Sequence, residues 1–353
     1  MSERINTLRG CFDPGVVDKQ NFSTAPSATI KIDRPGLSLE AHGPDLRFAI
    51  APRSLLVLTG QPRSSDTALA TSLATDAPLL LLERLRNRPD ETLATLDGRF
   101  SALWIDLDHG SLGLASDRFS THGLCWAREA LVTSFANRAD KVPQKAREID
   151  PQAIFDYLYF HVIPAPRTIF RGVQRLAPGQ RLSATAADTQ TSAWWHAEFH
   201  PQTVENIEAL KLRFLAEVRE SVAHEAEAPG VAAFLSGGTD SSTVVGMLRK
   251  VTGERPRCYS IGFDAEGYDE IAYARIAARA FDAEHREYYV TANDLAANIP
   301  LVAAHYDQPF GNSSALPAYC LARLAREDGY AKLLAGDGGD ELCGGNTRYA
   351  KQK

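Results

Sequence analysis

The string Ser236-Gly237-Gly238-Thr239-Asp240-Ser241-Ser242 has the residue types to hold a polyphosphate. It follows the apolar run Val231–Leu235, and a helix is expected after it through Lys250. Two glycines allow a tight turn, and the exposed N–H groups of a helix start attract an anion. Ser236, Ser241 and Ser242 add hydroxyl donors. No lysine stands where a Walker A loop would need one, so the cradle is of another kind. Asp240 suits a Mg²⁺ that neutralises phosphates better than it suits the phosphates themselves. The competing reading is a plain turn capped by Ser and Asp, but the whole string behind an apolar strand is more specific than a Gly-Gly pair.

A second string, Leu334-Ala335-Gly336-Asp337-Gly338-Gly339-Asp340-Glu341-Leu342-Cys343-Gly344-Gly345, combines glycines with three carboxylates. Asp337, Asp340 and Glu341 would repel a nucleotide unless a metal or a cationic group lay between them. Without a partner loop this would read as a solvated acidic turn.

The first string resembles the SGGxDS loop of the N-type ATP pyrophosphatases. The second resembles the SGxGxDELFGGY segment of the asparagine synthetase family, with Ala335 for the usual Ser and Asp337 for the usual Glu. Tyr259–Phe263 resembles the family strand whose backbone meets adenine, followed by Tyr268-Asp269-Glu270 and Tyr273-Ala274. Asp307–Phe310 with Ser313-Ser314, and Pro166–Phe170 with Leu176–Gly179, fit as well. The resemblance is good from about residue 85 to 350 and weak before it. It implies ATP contacts at Leu235, Ser236, Gly237, Gly238, Asp240, Ser241, Ser242, Ile261, Ala335 and Gly336. It implies catalytic roles for Asp337 and Asp340, and Mg²⁺ at Asp240 and Asp340. His285, at a strand start, reads as structural.

Family members of this kind open with a glutaminase whose nucleophile is an N-terminal Cys. Here Phe12-Asp13-Pro14-Gly15 resembles the end of that opening, and counting back puts Asn6 at the nucleophile position. Cys11 is internal and lacks the free amine that would serve as base. His42-Gly43-Pro44-Asp45 stands where RGPD is expected, and a neutral His does not replace a bidentate Arg clamp. Thr59-Gly60-Gln61-Pro62 replaces NGEI. Gly98–Ala102 and Ser116–Phe119 still match, so the fold is expected to persist without glutamine hydrolysis.

The elements that must position these residues follow from patterning. Short β runs at Leu55–Leu58, Ser101–Ile105 and Leu131–Phe135 make the first part mostly β, with one helix over Thr67–Arg86. Asp150 with Pro151 opens a helix through Tyr159. Helices are expected over about Val204–Glu225, Asp269–Phe281 and Ala318–Asp328. Strands are expected at Val231–Leu235, Cys258–Phe263, His285–Val290 and Ala331–Ala335. Such alternation gives a doubly wound parallel sheet with ligands at the strand C-termini. The fold class is thus α/β: an Ntn-hydrolase-like α+β sandwich over residues 1–200, then a pyrophosphatase-type parallel sheet over 201–353. Two domains suit 353 residues at roughly 150 per domain.

A net charge of −6 argues against a nucleic-acid surface. The apolar run Ala77–Leu82 is broken by Pro78 and too short to span a bilayer. Five cysteines without a CxxC pair argue for a reducing, cytoplasmic setting. The expected activity is an ATP-dependent ligase that adenylates a carboxylate, aspartate or an Asp/Glu side chain, and forms an amide. A lasso-peptide-cyclase or β-lactam-synthetase-like enzyme using its substrate's own amine is the alternative. A nucleotide-binding fragment is the third reading, because the family continues beyond Arg348-Tyr349 with a catalytic Lys and the acceptor pocket. Expected partners are an amino acid or peptide, with a precursor peptide or a second copy as further candidates.

Overall fold

A computed structural model describes residues 6–23, 29–199, 206–227, 229–263 and 269–345. The chain divides into two compact units: Met1–Phe199 with Tyr306–Gly311, and His200–His305 with Asn312–Lys353.

The first unit stacks two antiparallel sheets. One takes β1 (Thr7–Phe12), β2 (Thr29–Arg34), β3 (Leu37–His42), β8 (Cys125–Glu129), β9 (Val132–Ala136) and β10 (Gln174–Arg175), in the order β10-β8-β9-β1-β3-β2. The other takes β4 (Leu46–Ala51), β5 (Ser54–Ser64), β6 (Leu96–Asp106), β7 (Ser111–Ser116), β11 (Gln180–Ala184) and β12 (Thr189–Ala193), in the order β12-β11-β7-β6-β5-β4. The apolar runs of β5 and β6 are continuous because both of their faces are buried. Leu55, Val57, Leu103 and Ile105 face the first sheet. Leu56, Leu58, Ala102 and Trp104 face α1 (Thr67–Leu73), α2 (Leu79–Asn87) and α3 (Pro89–Ala94).

The single helix expected over Thr67–Arg86 is two helices. Pro78 brings no N–H and disfavours helical φ/ψ at Ala77, so the chain breaks and restarts with Pro78 as the cap of α2. Helix α4 (Pro151–Phe160) matches its expectation, with the Asp150 carboxylate accepting from Gln152 N at 3.0 Å. The segment Tyr306–Gly311 packs with this unit: Asp307 Oδ2 accepts from Arg175 at 2.6 Å and from Ala139 N at 2.7 Å.

The second unit is a parallel sheet in the order β15-β14-β13-β16. Its strands are β13 (Val231–Phe234), β14 (Arg257–Phe263), β15 (Glu284–Val290) and β16 (Lys332–Leu334). Side chains alternate across it. Ala233, Leu235 and Cys258 pack with α5 (Ile207–Glu225), α6 (Thr239–Thr252) and α7 (Ile271–Ala280). Ala232, Phe234, Tyr259 and Leu333 pack on the other face with α9 (Ala315–Glu327). Helix α8 (Ala292–His305), unexpected from sequence, carries Pro300 in its interior, which conceals it. Helix α5 begins at Ile207, capped by Asn206; the expected start at Val204 lies outside the described residues. The short α10 (Gly339–Cys343) closes the second loop.

Candidate functional site

In the second unit the chain moves outward from β13 to β14 and β15, then returns to place β16 on the other side of β13. The reversal between β13 and β16 is a topological switch point, where open parallel sheets leave a crevice beyond their strand C-termini. Ala233 pairs with Leu334 across that line. The Ser236 and Gly336 loops, 100 residues apart in sequence, therefore leave the sheet side by side.

They enclose one wall of a cavity of about 540 Å³. Of the residues expected from sequence, Leu235, Ser236, Asp240, Ser241, Ile261, Ala335, Gly336, Asp337 and Asp340 line it. Gly237, Gly238 and Ser242 are not on its wall. Gly237 has φ +87°, and a Cβ on it would stand 2.4 Å from Ala274 N, so its role is to seat the loop against the start of α7. Gly238 caps α6 and its carbonyl accepts from Ser242 N at 3.1 Å.

The loop holds its own shape through Ser241. That serine is 8% exposed. Its Oγ accepts from Ser236 N at 3.2 Å and lies 2.9 Å from Ser236 Oγ. Ser236 Oγ in turn accepts from Gly238 N at 3.3 Å. The Ser241 hydroxyl braces the loop from within while the residue lines the cavity, and Ser236 is exposed.

The two loops interlock at Asp240. A Cβ on Gly336 would stand 2.8 Å from Asp240 Cβ and from Ser241 N, and one on Gly339 only 2.3 Å from Asp240 Oδ2. These glycines are the condition for the acidic loop to lie against the α6 N-terminus.

The opposite wall is apolar, with Phe234, Ile261, Phe263, Ile271, Pro317 and Leu321. Phe234 and Pro317 were not expected on the wall; Ser260 and Phe263 belong to the Tyr259–Phe263 strand, and Glu270 and Ser314 to the segments matched along with it. Ser260 is 2% exposed, and its hydroxyl bonds the Leu235 carbonyl. His285 Nε2 lies 2.7 Å from Ser260 Oγ, and burial lowers the His285 pKa. His285 is not on the cavity wall, in keeping with a structural rather than catalytic part.

The charge on the wall is one-sided. Asp240, Glu270, Asp337, Asp340 and Glu341 line the cavity, and no Lys, Arg or His joins them among the described residues. A cation carried in with a polyphosphate would offset the repulsion from these carboxylates. No group of three His, Cys, Asp or Glu side chains converges as a metal cage among the described residues. Mg²⁺ needs none, because it is ordinarily held by one or two carboxylates together with substrate phosphates and water. Asp240 and Asp340, on one cavity, fit that mode.

In the first unit, Asn6, put at the nucleophile position by counting along the sequence, bonds to Asp45. Its amide donates to Asp45 Oδ2 at 3.2 Å and its Oδ1 accepts from Asp45 N at 3.2 Å. Asn137 Nδ2 donates to the Asn6 carbonyl at 2.7 Å. The retained Ser116–Phe119 segment is structural: Asp117 is 1% exposed and accepts from Phe100 N, Phe119 N and the Thr121 hydroxyl. Among the described residues no helix is long and apolar enough to cross a membrane.

Comparison with known proteins gives two domain matches. Residues 213–353 match the asparagine synthase model, and residues 65–195 match the glutamine amidotransferase domain model. "Asparagine synthetase 1" (glutamine-hydrolyzing) of Bacillus subtilis (strain 168) is 28% identical over 279 residues, 76% of this chain and 43% of that protein. A Mycobacterium tuberculosis (strain ATCC 25618 / H37Rv) protein, provisionally named a glutamine-hydrolyzing asparagine synthetase, is 32% identical over 273 residues. That match covers 73% of this chain and 41% of the relative. The chain thus spans about two fifths of the length of the curated relatives it matches. Glutamine phosphoribosylpyrophosphate amidotransferase of B. subtilis, solved with ADP and GMP, overlaps 72% of this chain and 67% of its own. Its TM-score is 0.29 and its identity 12%; the fold is therefore read from the sheets themselves.

Proposed function

We propose that the second unit binds ATP and activates a carboxylate for amide-bond formation; residues 213–353 match the asparagine synthase model, and the chain is similar to asparagine synthetases. The observation that carries this reading is the meeting of the Ser236 and Gly336 loops at Asp240, on one cavity at the switch point. The apolar wall around Ile261 and Phe263 suits a purine. Ser236 and the α6 N-terminus suit the phosphates, and Asp240 and Asp340 would hold Mg²⁺. Bound there, Mg²⁺ would offset the charge of the leaving pyrophosphate. The carboxylate becomes an acyl-adenylate, pyrophosphate departs, and an amine displaces AMP. Asp337, on the same cavity wall, is our candidate to take the proton lost by that amine.

A second reading concerns the source of the amine. Asn6 cannot act as a thiol nucleophile, its nitrogen is part of a peptide bond with Ile5, and its side chain is engaged by Asp45. These features favour a member that has lost glutamine hydrolysis. The amine would then be free ammonia or a group on the substrate itself, as in a peptide macrocyclase or a β-lactam synthetase.

The test is exchange of labelled pyrophosphate into ATP. Exchange dependent on aspartate supports the generic ligase, and exchange dependent on a peptide carboxylate supports the cyclase. No exchange with either would sink both.

A further inference from the structure

The peptide that joins β13 to the Ser236 loop is held at both ends by β14. Leu235 N donates to Tyr259 O at 2.9 Å. The Leu235 carbonyl takes its bond from the Ser260 hydroxyl. Leu235 is 2% exposed, so a carbonyl without that donor would be left unsatisfied.

Ser260 has one proton, and it goes to Leu235 O. The contact between Ser260 Oγ and His285 Nε2, 2.7 Å, must therefore be donated by the imidazole. His285 stands on β15, where Cys258 pairs with His285 and Ser260 with Glu287, so the ring reaches diagonally along one face of the ladder. Its other nitrogen lies 3.6 Å from Glu287 Oε1. Arg275 already grips that carboxylate through two bonds of 2.7 and 2.6 Å. The His285 side chain is 10% exposed, which leaves it little freedom to turn.

We infer that His285 is a positioning residue of the nucleotide site: its Nε2–H aims the Ser260 hydroxyl at the Leu235 carbonyl and so fixes where the Ser236 loop begins. The inference rests on the nucleotide reading of the cavity. Direction matters in this relay. With the proton on Nδ1 instead, Nε2 would accept from Ser260, and the Leu235 carbonyl would lose its donor. Ser236, the first residue after Leu235, is exposed and lines the cavity, so the relay acts on a hydroxyl that could meet a phosphate.

The experiment is calorimetric titration of the whole chain with ATP and Mg²⁺. It compares the parent protein with His285→Ala, Ser260→Ala, their double variant, His285→Gln and His285→Asn, at a temperature where circular dichroism shows each folded. His285→Ala and Ser260→Ala should each weaken binding about fivefold to tenfold, the scale of one hydrogen bond. The double variant should be no weaker than Ser260→Ala, because His285 acts through Ser260. His285→Gln, whose amide reaches the Nε2 position, should bind like the parent, and His285→Asn like the alanine variant. Binding by His285→Ala within twofold of the parent, losses that multiply in the double variant, or failure of glutamine to rescue would overturn the inference. If the parent binds no ATP, the nucleotide reading itself falls, which is a separate result.

Discussion

A side chain on Gly336 would collide with Asp240: its Cβ would stand 2.8 Å from that residue's Cβ. The acidic loop and the Ser236 loop can share one cavity because this position, like Gly339, has no side chain.

Gly336→Ala should therefore force the two loops apart. Overpacking of this kind costs about 1–3 kcal/mol, and the clash with the Ser241 backbone nitrogen leaves no easy escape. Chemical denaturation should show the loss of stability, and ATP binding should weaken with it. An alanine variant with parental stability and affinity would mean that the loops do not meet as described.

Asp240 should matter through a metal. Asp240→Asn removes one of five carboxylates on a wall that carries no cationic side chain among the described residues. If Asp240 only repelled phosphate, the change would improve binding. If it holds Mg²⁺, affinity for ATP should fall on the order of tenfold, about 1.4 kcal/mol, and excess EDTA should abolish binding to the parent. Titrations with and without Mg²⁺ separate the two.

Acid stability of the second unit should depend on Asp328. Arg286, Tyr259 and Arg257 converge on its carboxylate, with Tyr259 Oη at 2.7 Å and Arg257 at 3.2 Å. The hydrogen bond from Arg286, then that from Tyr259, hold its pKa down to about 2. A folded pKa below the unfolded value, about 3.9, gives stability that is complete above that value. It is lost as pH falls from about 4 towards 2. Asp328→Asn should lower stability at neutral pH by roughly 1–3 kcal/mol and flatten the acid limb of the melting-temperature curve. An unchanged limb would place the acid-sensitive group elsewhere.

Restoring the thiol should not restore a glutaminase. Asn6→Cys supplies sulfur, but the nitrogen of residue 6 stays in a peptide bond, and His42 stands where an arginine clamp is expected. Glutamate release from glutamine should stay at background. Measurable hydrolysis would show that the first unit keeps a working glutamine site.

Several features are legible in the amino-acid sequence alone. The Asp150 cap, the strands at Val231 and Cys258, and the glycines of both loops announce themselves through local preferences. The Thr67–Arg86 segment misled because its Ala- and Leu-rich composition outweighs one proline in a propensity reading, while the backbone has no such option at Pro78. No expectation covered α8, which continues around Pro300 in its interior. The tertiary arrangement shows Ser241 bracing its own loop, its hydroxyl accepting from the backbone five residues back. Ser260 and His285 carried no motif that ties them together. Their relation exists only once β14 and β15 lie in register.

The sequence by itself determined the Ser236–Ser242 loop, the acidic glycine loop and the asparagine at position 6, because each depends on residue type at short spacing. Only the tertiary structure decided that the two loops, 100 residues apart in sequence, share one cavity. The β13–β16 pairing creates the switch point that brings them together, and pairing across such a separation is a property of sheet order that no local preference encodes.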